Sequence, residues 1–271
     1  MGEPRGRAAP RPPERRARPA RPAPVAGVAM SGAVILAGGG STPPEVPQTM
    51  LRLAGGANAR IVILAHTQAD VARGGQRTVA FFTENGAQNG VAPDTLDAGE
   101  LIALVQSARG VWIPGGDQNR FMERLGGSAA LLEAIRGVVA RGGVVGGTSA
   151  GASLMGARMP TGDHSPDGDL KVGASPTAPA IGVLPNALVD QHFLKRQRLP
   201  RLLCALLEHP SLVGIGVDED AWALVQKGKL TAYRAQVVVA RVRQKPRQHE
   251  RMLGSRDIRL HILLPNDVAQ V

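Results

Sequence analysis

A lone serine within a run of small residues is the strongest candidate for chemistry in this sequence. Ser149 is the centre of a G-x-S-x-G pattern, Gly147-Thr148-Ser149-Ala150-Gly151, which follows the apolar pair Val144-Val145. A nucleophile on a sharp strand-to-helix turn needs this composition, because bulky neighbours would clash with the strained backbone. An ordinary tight turn has similar residues, but the flanking glycines and the preceding apolar run favour a nucleophilic serine.

A serine nucleophile also needs hydrogen-bond donors for the oxyanion that it creates. A helix beginning just after Ser149 would offer the backbone N–H of Ala150, since the first N–H groups of a helix have no partner within it. The turn Gly115-Gly116-Asp117-Gln118 follows the apolar Val111–Ile113. It is either a plain turn or the source of a second donor at Gly116. We predict Gly116 and Ala150 as the oxyanion donors.

A base and an orienting acid are the remaining parts of a serine triad. Of six histidines, His192 has the most polar setting, between Asp190-Gln191 and the basic stretch 195–201. Three consecutive acids, Asp218, Glu219 and Asp220, follow the apolar 213–217 and include the candidate orienting acid. Asp190 is a rival, because in an extended chain it would point to the same side as His192.

The elements that must position these residues alternate between strand-like and helix-like patterns. Strands are predicted at Ala33–Ala37, Ile61–Leu64, Val111–Ile113 and from Val144, and helices over 69–85, 99–108 and 128–140. This alternation predicts an α/β fold with a mostly parallel sheet and helices on both faces. The loops 38–40, 115–118 and 148–151 should then converge at one edge of the sheet. The glycines 38–40 match no phosphate-binding motif, so close backbone packing is the favoured role.

Composition limits the other function classes. The formal net charge is +10, but residues 1–30 carry seven arginines, two glutamates and seven of the 21 prolines, which predicts a disordered tail. Half of the net positive charge thus lies in this tail and not in the folded part of the chain, which argues against a nucleic-acid partner. Neither a signal peptide nor a membrane-spanning apolar run is recognised, so we expect a cytoplasmic protein. Cys204 is the only cysteine, which excludes an internal disulfide, and we expect neither a metal nor a cofactor.

The chain order of serine, histidine and acid differs from that of the α/β-hydrolases. Taken with its neighbouring segments, the sequence resembles the cyanophycinase family of serine peptidases, which groups with aspartyl dipeptidase. The resemblance covers roughly residues 31–271, which we take as one peptidase domain. The segments that carry it are 113–118, 146–152, 190–193 with the arginines of 196–201, 214–220 and 258–263.

The resemblance implies a fold like that of the class I glutamine amidotransferases and, by analogy, a homodimer. It implies Ser149 as the nucleophile, His192 as the base and Glu219 as the orienting acid. The matching substrate-pocket positions are Gln118, Asp190, Gln191, Arg196, Arg198 and Arg201. Pro200, between two of these arginines, should start or end a helical turn.

The substrate implied is cyanophycin, a poly-aspartate backbone with arginine on each side-chain carboxyl. Forked arginine donors suit its carboxylates, and Asp190 or the amide oxygens suit its guanidinium groups. A solvated helix face is the alternative role for the arginines. Three functions remain open: a serine exopeptidase releasing β-Asp-Arg dipeptides, a related peptidase for aspartyl or isoaspartyl peptides, and a non-catalytic polyanion binder. The arginine cluster favours the first, and a complete Ser–His–Glu set argues against the third.

Overall fold

The computed structural model describes residues 31–162 and 168–271, so the predicted tail 1–30 lies outside the described residues. Along the chain the elements are β1 (Ala33–Ala37), α1 (Glu45–Ala54), β2 (Ile61–Ile63), α2 (Val71–Glu84), β3 (Gly90–Val91), α3 (Ala98–Ser107), β4 (Gly110–Ile113), α4 (Gln118–Leu125), α5 (Ala129–Ala140), β5 (Val144–Thr148), α6 (Ala150–Ser153), β6 (Gly156–Pro160), β7 (Thr177–Pro179), β8 (Leu184–Gln191), α7 (Leu199–Glu208), β9 (Val213–Val217), β10 (Trp222–Gln226), β11 (Lys229–Tyr233), β12 (Val237–Val242), β13 (Arg247–His249), β14 (Met252–Gly254), β15 (Ile258–Leu263) and β16 (Val268–Gln270).

Within these residues the strands form two large sheets and a small hairpin of β13 and β14. The first sheet has eight strands in the order β16-β11-β10-β1-β5-β4-β2-β3. Its strands β1 to β5 are parallel, and β10, β11 and β16 extend it with antiparallel pairing. The second sheet has six strands in the order β15-β12-β9-β8-β6-β7, of which β6, β8 and β9 are parallel.

The parallel strands of the first sheet are buried on both faces. Along β1, Val34 and Leu36 pack in the cluster that contains the α3 and α5 side chains, whereas Ile35 packs in the cluster of α1 and α2. Successive side chains of a strand point to opposite faces, so two layers of helices are needed to cover this apolar strand. The prediction of helices on both faces is confirmed.

The predicted local elements are confirmed, but the single sheet is only part of the fold. The predicted helices correspond to α2, α3 and α5, and the predicted strands to β1, β2, β4 and β5. The mixed α/β class therefore stands, with a second sheet that we did not predict. Local periodicity indicates strands but not which strands pair, so a pairing such as β12 with β15 could not be predicted from it.

Helix α7 packs closely against the second sheet. A Cβ at Gly214 of β9 would lie 2.7 Å from Leu206 Cδ1 and 3.0 Å from Leu202 Cδ1, both on α7. Cys204 of the same helix is buried, and burial raises the pKa of its thiol, which is the setting of a structural cysteine. In the described part of the chain, no helix combines the length and the apolar character needed to cross a membrane.

Candidate active site

Ser149 occupies a strained turn between β5 and α6. Its backbone has φ 52° and ψ −116°, a combination that residues with a side chain rarely adopt. A Cβ at Gly151 would overlap the carbonyl oxygen of Ile113, and one at Gly147 would lie 2.6 Å from the same oxygen. The two glycines of the pattern are thus required because β4 runs directly beside the turn.

His192 lies immediately after β8 and faces Ser149. The serine Oγ is 2.9 Å from His192 Nε2, and His192 Nδ1 is 2.7 Å from Glu219 Oε1. The imidazole therefore bridges a hydroxyl and a carboxylate, in the arrangement of a serine triad. His192 also has a positive φ of 47°, and its N–H donates to the carbonyl of Gly38 at 2.8 Å.

The loop 38–40 fills the space between the histidine and the acidic turn. A Cβ at Gly39 would overlap the His192 ring, and a Cβ at Gly38 would overlap the carbonyl oxygen of Asp218. A Cβ at Gly40 would lie 3.4 Å from Glu219 Cβ. The prediction of close backbone packing at these glycines is confirmed.

The structure distinguishes the two candidate acids by position. Glu219 contacts the imidazole, whereas Asp190 is fully buried and forms a two-pronged ion pair with Arg201. An extended chain would have placed the side chains of Asp190 and His192 on the same side. The positive φ of His192 ends that extended conformation. The two neighbouring acids make contacts with backbone groups. The Asp218 carboxylate accepts a hydrogen bond from the backbone N–H of Lys195 at 2.9 Å, and the backbone N–H of Asp220 donates to the carbonyl of Gly39.

A polar cavity of about 250 Å³ opens beside Ser149 and His192. Its lining comprises Gly116, Gln118, Ser149, Gly162, Gln191, His192, Arg196, Arg198 and Arg201. Of the predicted substrate residues, only Asp190 does not line it. Gly162 is the lining residue that the sequence did not suggest, and its carbonyl accepts from Arg201 Nη1 at 2.9 Å.

Two arginines are held at the cavity wall by the buried carboxylate behind it. Arg201 pairs with Asp190, and Arg198 Nη1 lies 3.7 Å from Asp190 Oδ1 while donating to Gln191 O at 2.7 Å. Pro200 falls in the first turn of α7, so it starts the helix, which is one of its two predicted effects. Arg198 precedes that helix at the N-cap position, whereas Arg196 is exposed.

The two predicted oxyanion donors both adjoin the serine. Ala150 is the first residue of α6, and a Cβ on Gly115 would be 3.5 Å from Ser149 Cβ, which places the 115–116 turn beside the nucleophile. Gly116 has φ 141° and no room for a side chain against the carbonyl of Thr67. Thr67, which sequence reasoning missed, holds this turn because its buried hydroxyl contacts the carbonyls of Pro114 and Gly115 at 3.0 and 2.9 Å.

The electrostatic setting keeps the histidine in its neutral form at neutral pH. Burial lowers the pKa of His192, the hydrogen bond to Glu219 raises it, and the positive charges of Arg196 and Arg198 lower it. The net direction is downward, so Nε2 has a lone pair available to accept a proton from Ser149. Across residues 31–162 and 168–271, no group of three or more His, Cys, Asp or Glu side chains is arranged to hold a metal ion.

Comparison with known proteins assigns the chain to a class. The model of peptidase family S51 matches residues 34–233, and the chain belongs to that family. The match stops before β12, so the expected family resemblance of the closing strand 258–263 lies outside it.

The chain is a cyanophycinase-like, serine-type peptidase of this family. It is 38% identical over 195 residues to a cyanophycinase of Geminocystis herdmanii, an alignment covering 68% of this chain and 69% of that protein. It is 34% identical over 196 residues to a cyanophycinase of Trichormus variabilis, covering 68% of this chain and 63% of that protein. The chain thus spans about two thirds of the length of these relatives.

Two solved structures share the fold at low sequence identity. A peptidase from an acI-B1 Actinobacterium superimposes with a TM-score of 0.63 and 18% identity, over 90% of this chain and 98% of that one. A putative peptidase E protein from Listeria monocytogenes gives a TM-score of 0.52 and 11% identity, over 75% of this chain and 98% of that one.

Proposed function

We propose that this protein is a serine exopeptidase that hydrolyses cyanophycin to β-Asp-Arg dipeptides. The observation that carries the proposal is the cavity beside Ser149, whose wall includes Arg196, Arg198 and Arg201. Three guanidinium groups next to a nucleophile suit a substrate with carboxylates close to its scissile bond. The similarity to cyanophycinases supports the same substrate.

In the proposed reaction, Ser149 Oγ attacks the scissile carbonyl carbon while His192 Nε2 takes the hydroxyl proton. The tetrahedral intermediate collapses as the C–N bond breaks, and the imidazolium gives its proton to the leaving amine. Water then attacks the acyl-enzyme, His192 again takes a proton, and the serine leaves with it. Glu219 Oε1 accepts a hydrogen bond from His192 Nδ1–H and stabilises the imidazolium without taking its proton, a role supported by the distance of 2.7 Å between the two atoms.

The developing oxyanion is assigned to the backbone N–H groups of Gly116 and Ala150. A donor at the start of a helix suits this role, because it has no partner within the helix. The position of the 115–116 turn beside Ser149 supports the second donor.

Substrate recognition is assigned to the remaining lining residues. Arg198 and Arg201 bind carboxylates, and Arg196 adds positive charge at the exposed rim. The amide oxygens of Gln118 and Gln191 accept hydrogen bonds from the arginine end of the substrate. Asp190, at 0% exposure, is assigned to positioning the two inner arginines rather than to substrate contact.

We also propose that residues 31–271 act as one peptidase domain of the class I glutamine amidotransferase type, with neither metal nor cofactor, in the cytoplasm and as a homodimer.

Two exposed apolar side chains on the edge strand β15 support contact with a second copy of the chain. They are Leu260, which is 39% exposed, and Ile262, which is 58% exposed. Light scattering on the purified chain would show twice the chain mass if the homodimer forms, and the mass of one chain if it does not.

The substrate assignment is tested by comparing a β-Asp-Arg substrate with a simple ester in Arg198→Ala and Arg201→Ala. Losing a charge-assisted hydrogen bond of about 1.5–3 kcal/mol predicts a fall of roughly 10- to 150-fold in kcat/KM on the β-Asp-Arg substrate. The ester, which needs only the triad and the oxyanion donors, should be spared. Arg→Lys should restore part of the loss, because an ammonium cannot make the forked contact. Equal losses on both substrates would mean that the arginines support the fold.

A further inference from the structure

A second cavity is lined by Thr148, the residue that precedes the nucleophile. It measures about 240 Å³, and its lining includes Thr42, Arg77, Phe81, Trp112, Pro114 and Thr148. It lies on the face of the first sheet that α1 and α2 cover, since Phe81 and Trp112 belong to that side of the core. We call it the α2 groove.

The α2 groove and the arginine-lined cavity adjoin the same two turns. Thr148 lines the groove and the next residue, Ser149, lines the arginine-lined cavity. In the same way, Pro114 lines the groove and Gly116 lines the cavity. The two cavities are therefore lined by neighbouring residues of the same two turns.

The groove contains a polar atom that lacks a partner. Thr148 Oγ1 is buried and has no hydrogen-bond partner among the described residues. Thr148 also lines the groove, and because a buried polar group without a partner is costly, a ligand that hydrogen-bonds to this hydroxyl is favoured.

The groove also has a cation tied to the oxyanion turn. Arg77 Nη2 donates to Gln68 Oε1 at 3.3 Å, and Gln68 Nε2 donates to the carbonyl of Gly115. The Phe81 ring, one helical turn along α2 from Arg77, forms an apolar wall that suits the flat face of a guanidinium group. A cation, a hydroxyl and an aromatic wall together suit a ligand with both a carboxylate and a guanidinium.

We propose that the α2 groove binds the peptide unit on the leaving side of the scissile bond, an inference that rests on the proposed function. In a β-Asp-Arg unit, the carboxylate pairs with Arg77, the guanidinium stacks on Phe81, and a polar group of the unit hydrogen-bonds to Thr148 Oγ1. The arginine-lined cavity holds the acyl side. Arg77 is thus a specificity residue for the leaving unit and takes no part in bond breaking.

The test compares two substrates with the same acyl part. One is a two-unit β-Asp-Arg fragment, and the other is the methyl ester of its acyl unit, whose leaving group is methanol. Arg77→Ala should lower kcat/KM on the fragment by roughly tenfold, the lower end for a charged hydrogen bond, and lower it far less on the ester, because Thr67 and Gln68 still hold the Gly115 carbonyl. Thr148→Val keeps the branched shape and should cost a few-fold on the fragment alone. Arg73→Ala removes an exposed arginine from the same helix that does not line the groove, and should change neither rate.

A second readout follows binding to the groove without hydrolysis of the fragment. During ester turnover, added β-Asp-Arg dipeptide should compete with water for the acyl-enzyme and give the two-unit product, and Arg77→Ala should lower that yield. Equal losses on both substrates, no loss on the fragment, or an unchanged transfer yield would each overturn the groove assignment. Wild-type protein that cleaves the ester but not the fragment would overturn the proposed function instead, and the groove assignment with it.

Discussion

The two sheets contribute different parts of the site. The eight-stranded sheet supplies the serine, from the end of β5, and both turns that we propose to bind the oxyanion. The six-stranded sheet supplies the histidine and the acid, from the ends of β8 and β9, and it carries the helix with Arg201. The proposed nucleophile thus comes from one sheet, and the proposed base and its orienting acid come from the other. The two sheets meet at the loop 38–40.

Strand register explains why these groups meet. In the first sheet Ala37 pairs with Thr148, so Gly38 and Ser149 are the next residues beyond the paired ends. In the second sheet Gln191 pairs with Val217, so His192 and the acidic turn leave the sheet together. In each sheet, therefore, two neighbouring strands end side by side at the site. The N–H of His192 donates to the Gly38 carbonyl, and this hydrogen bond joins the two sheets. The lesson is that the site depends on the alignment of two sheets as much as on the residues themselves.

The largest expected effect comes from the first sheet. Ser149→Ala should abolish nearly all hydrolysis, by roughly 10⁶-fold in turnover, the scale for a triad serine. The thermal unfolding midpoint should stay close to that of the wild type, because alanine fits the turn and the hydroxyl that is lost faces the open cavity beside His192. Steady-state kinetics and a melting curve on the same preparation measure both. If this variant keeps the turnover of the wild type, Ser149 is not the nucleophile.

The matching test of the second sheet is Glu219→Gln. Replacing the carboxylate that orients His192 should slow acylation by roughly 10³–10⁴-fold with a smaller change in KM, as expected for loss of the imidazolium's partner. Stopped-flow measurement of the acylation burst separates this step from binding. Asp218→Asn serves as the neighbouring control, and an equal loss there would mean that the whole turn, rather than Glu219, supports the base.

A smaller effect is expected from the carboxylate behind the arginines. Asp190→Asn removes the partner of Arg201 in an ion pair whose side chains are 0% and 4% exposed, which predicts a stability loss of about 3–5 kcal/mol. Activity should fall mainly through KM for the β-Asp-Arg substrate, because the arginines lose their anchor while the triad stays in place. Urea unfolding and a KM-against-kcat comparison report the two effects. A fall in kcat alone would return Asp190 to the role of orienting acid.

The smallest effect is a shift of the pH profile. The charge of Arg196 lowers the pKa of His192, so Arg196→Ala should raise that pKa. Activity needs neutral His192 and is lost as the pH falls through its pKa, so the acidic limb of kcat/KM on the ester should move to higher pH in the variant. Arg196→Lys, which keeps the charge, should leave the limb in place. A shift to lower pH would contradict the assigned charge effect.

The sequence predicted the first sheet better than the second, for a physical reason. The strands and helices of the first sheet alternate along the chain, so the apolar run before Ser149 and the glycine turns indicated both the elements and their common edge. The strands of the second sheet do not follow that alternation: β7 lies between β6 and β8 along the chain, and β10 and β11 of the first sheet lie between β9 and β12. The choice between Glu219 and Asp190 depended on family resemblance, because the positive φ of His192 cannot be read from an extended pattern. Thr67 and Gly162 carried no signal in the sequence, since Thr67 acts through a hydroxyl bonded to distant backbone carbonyls and Gly162 through its own backbone carbonyl.

The most direct measurement of the central claim is the digestion of purified cyanophycin by the wild-type protein, followed by mass spectrometry of the released products. The account predicts β-Asp-Arg dipeptides as the main product, formed at a rate that Ser149→Ala abolishes. Absence of the dipeptide, or its release at the same rate by the alanine variant, would contradict the claim.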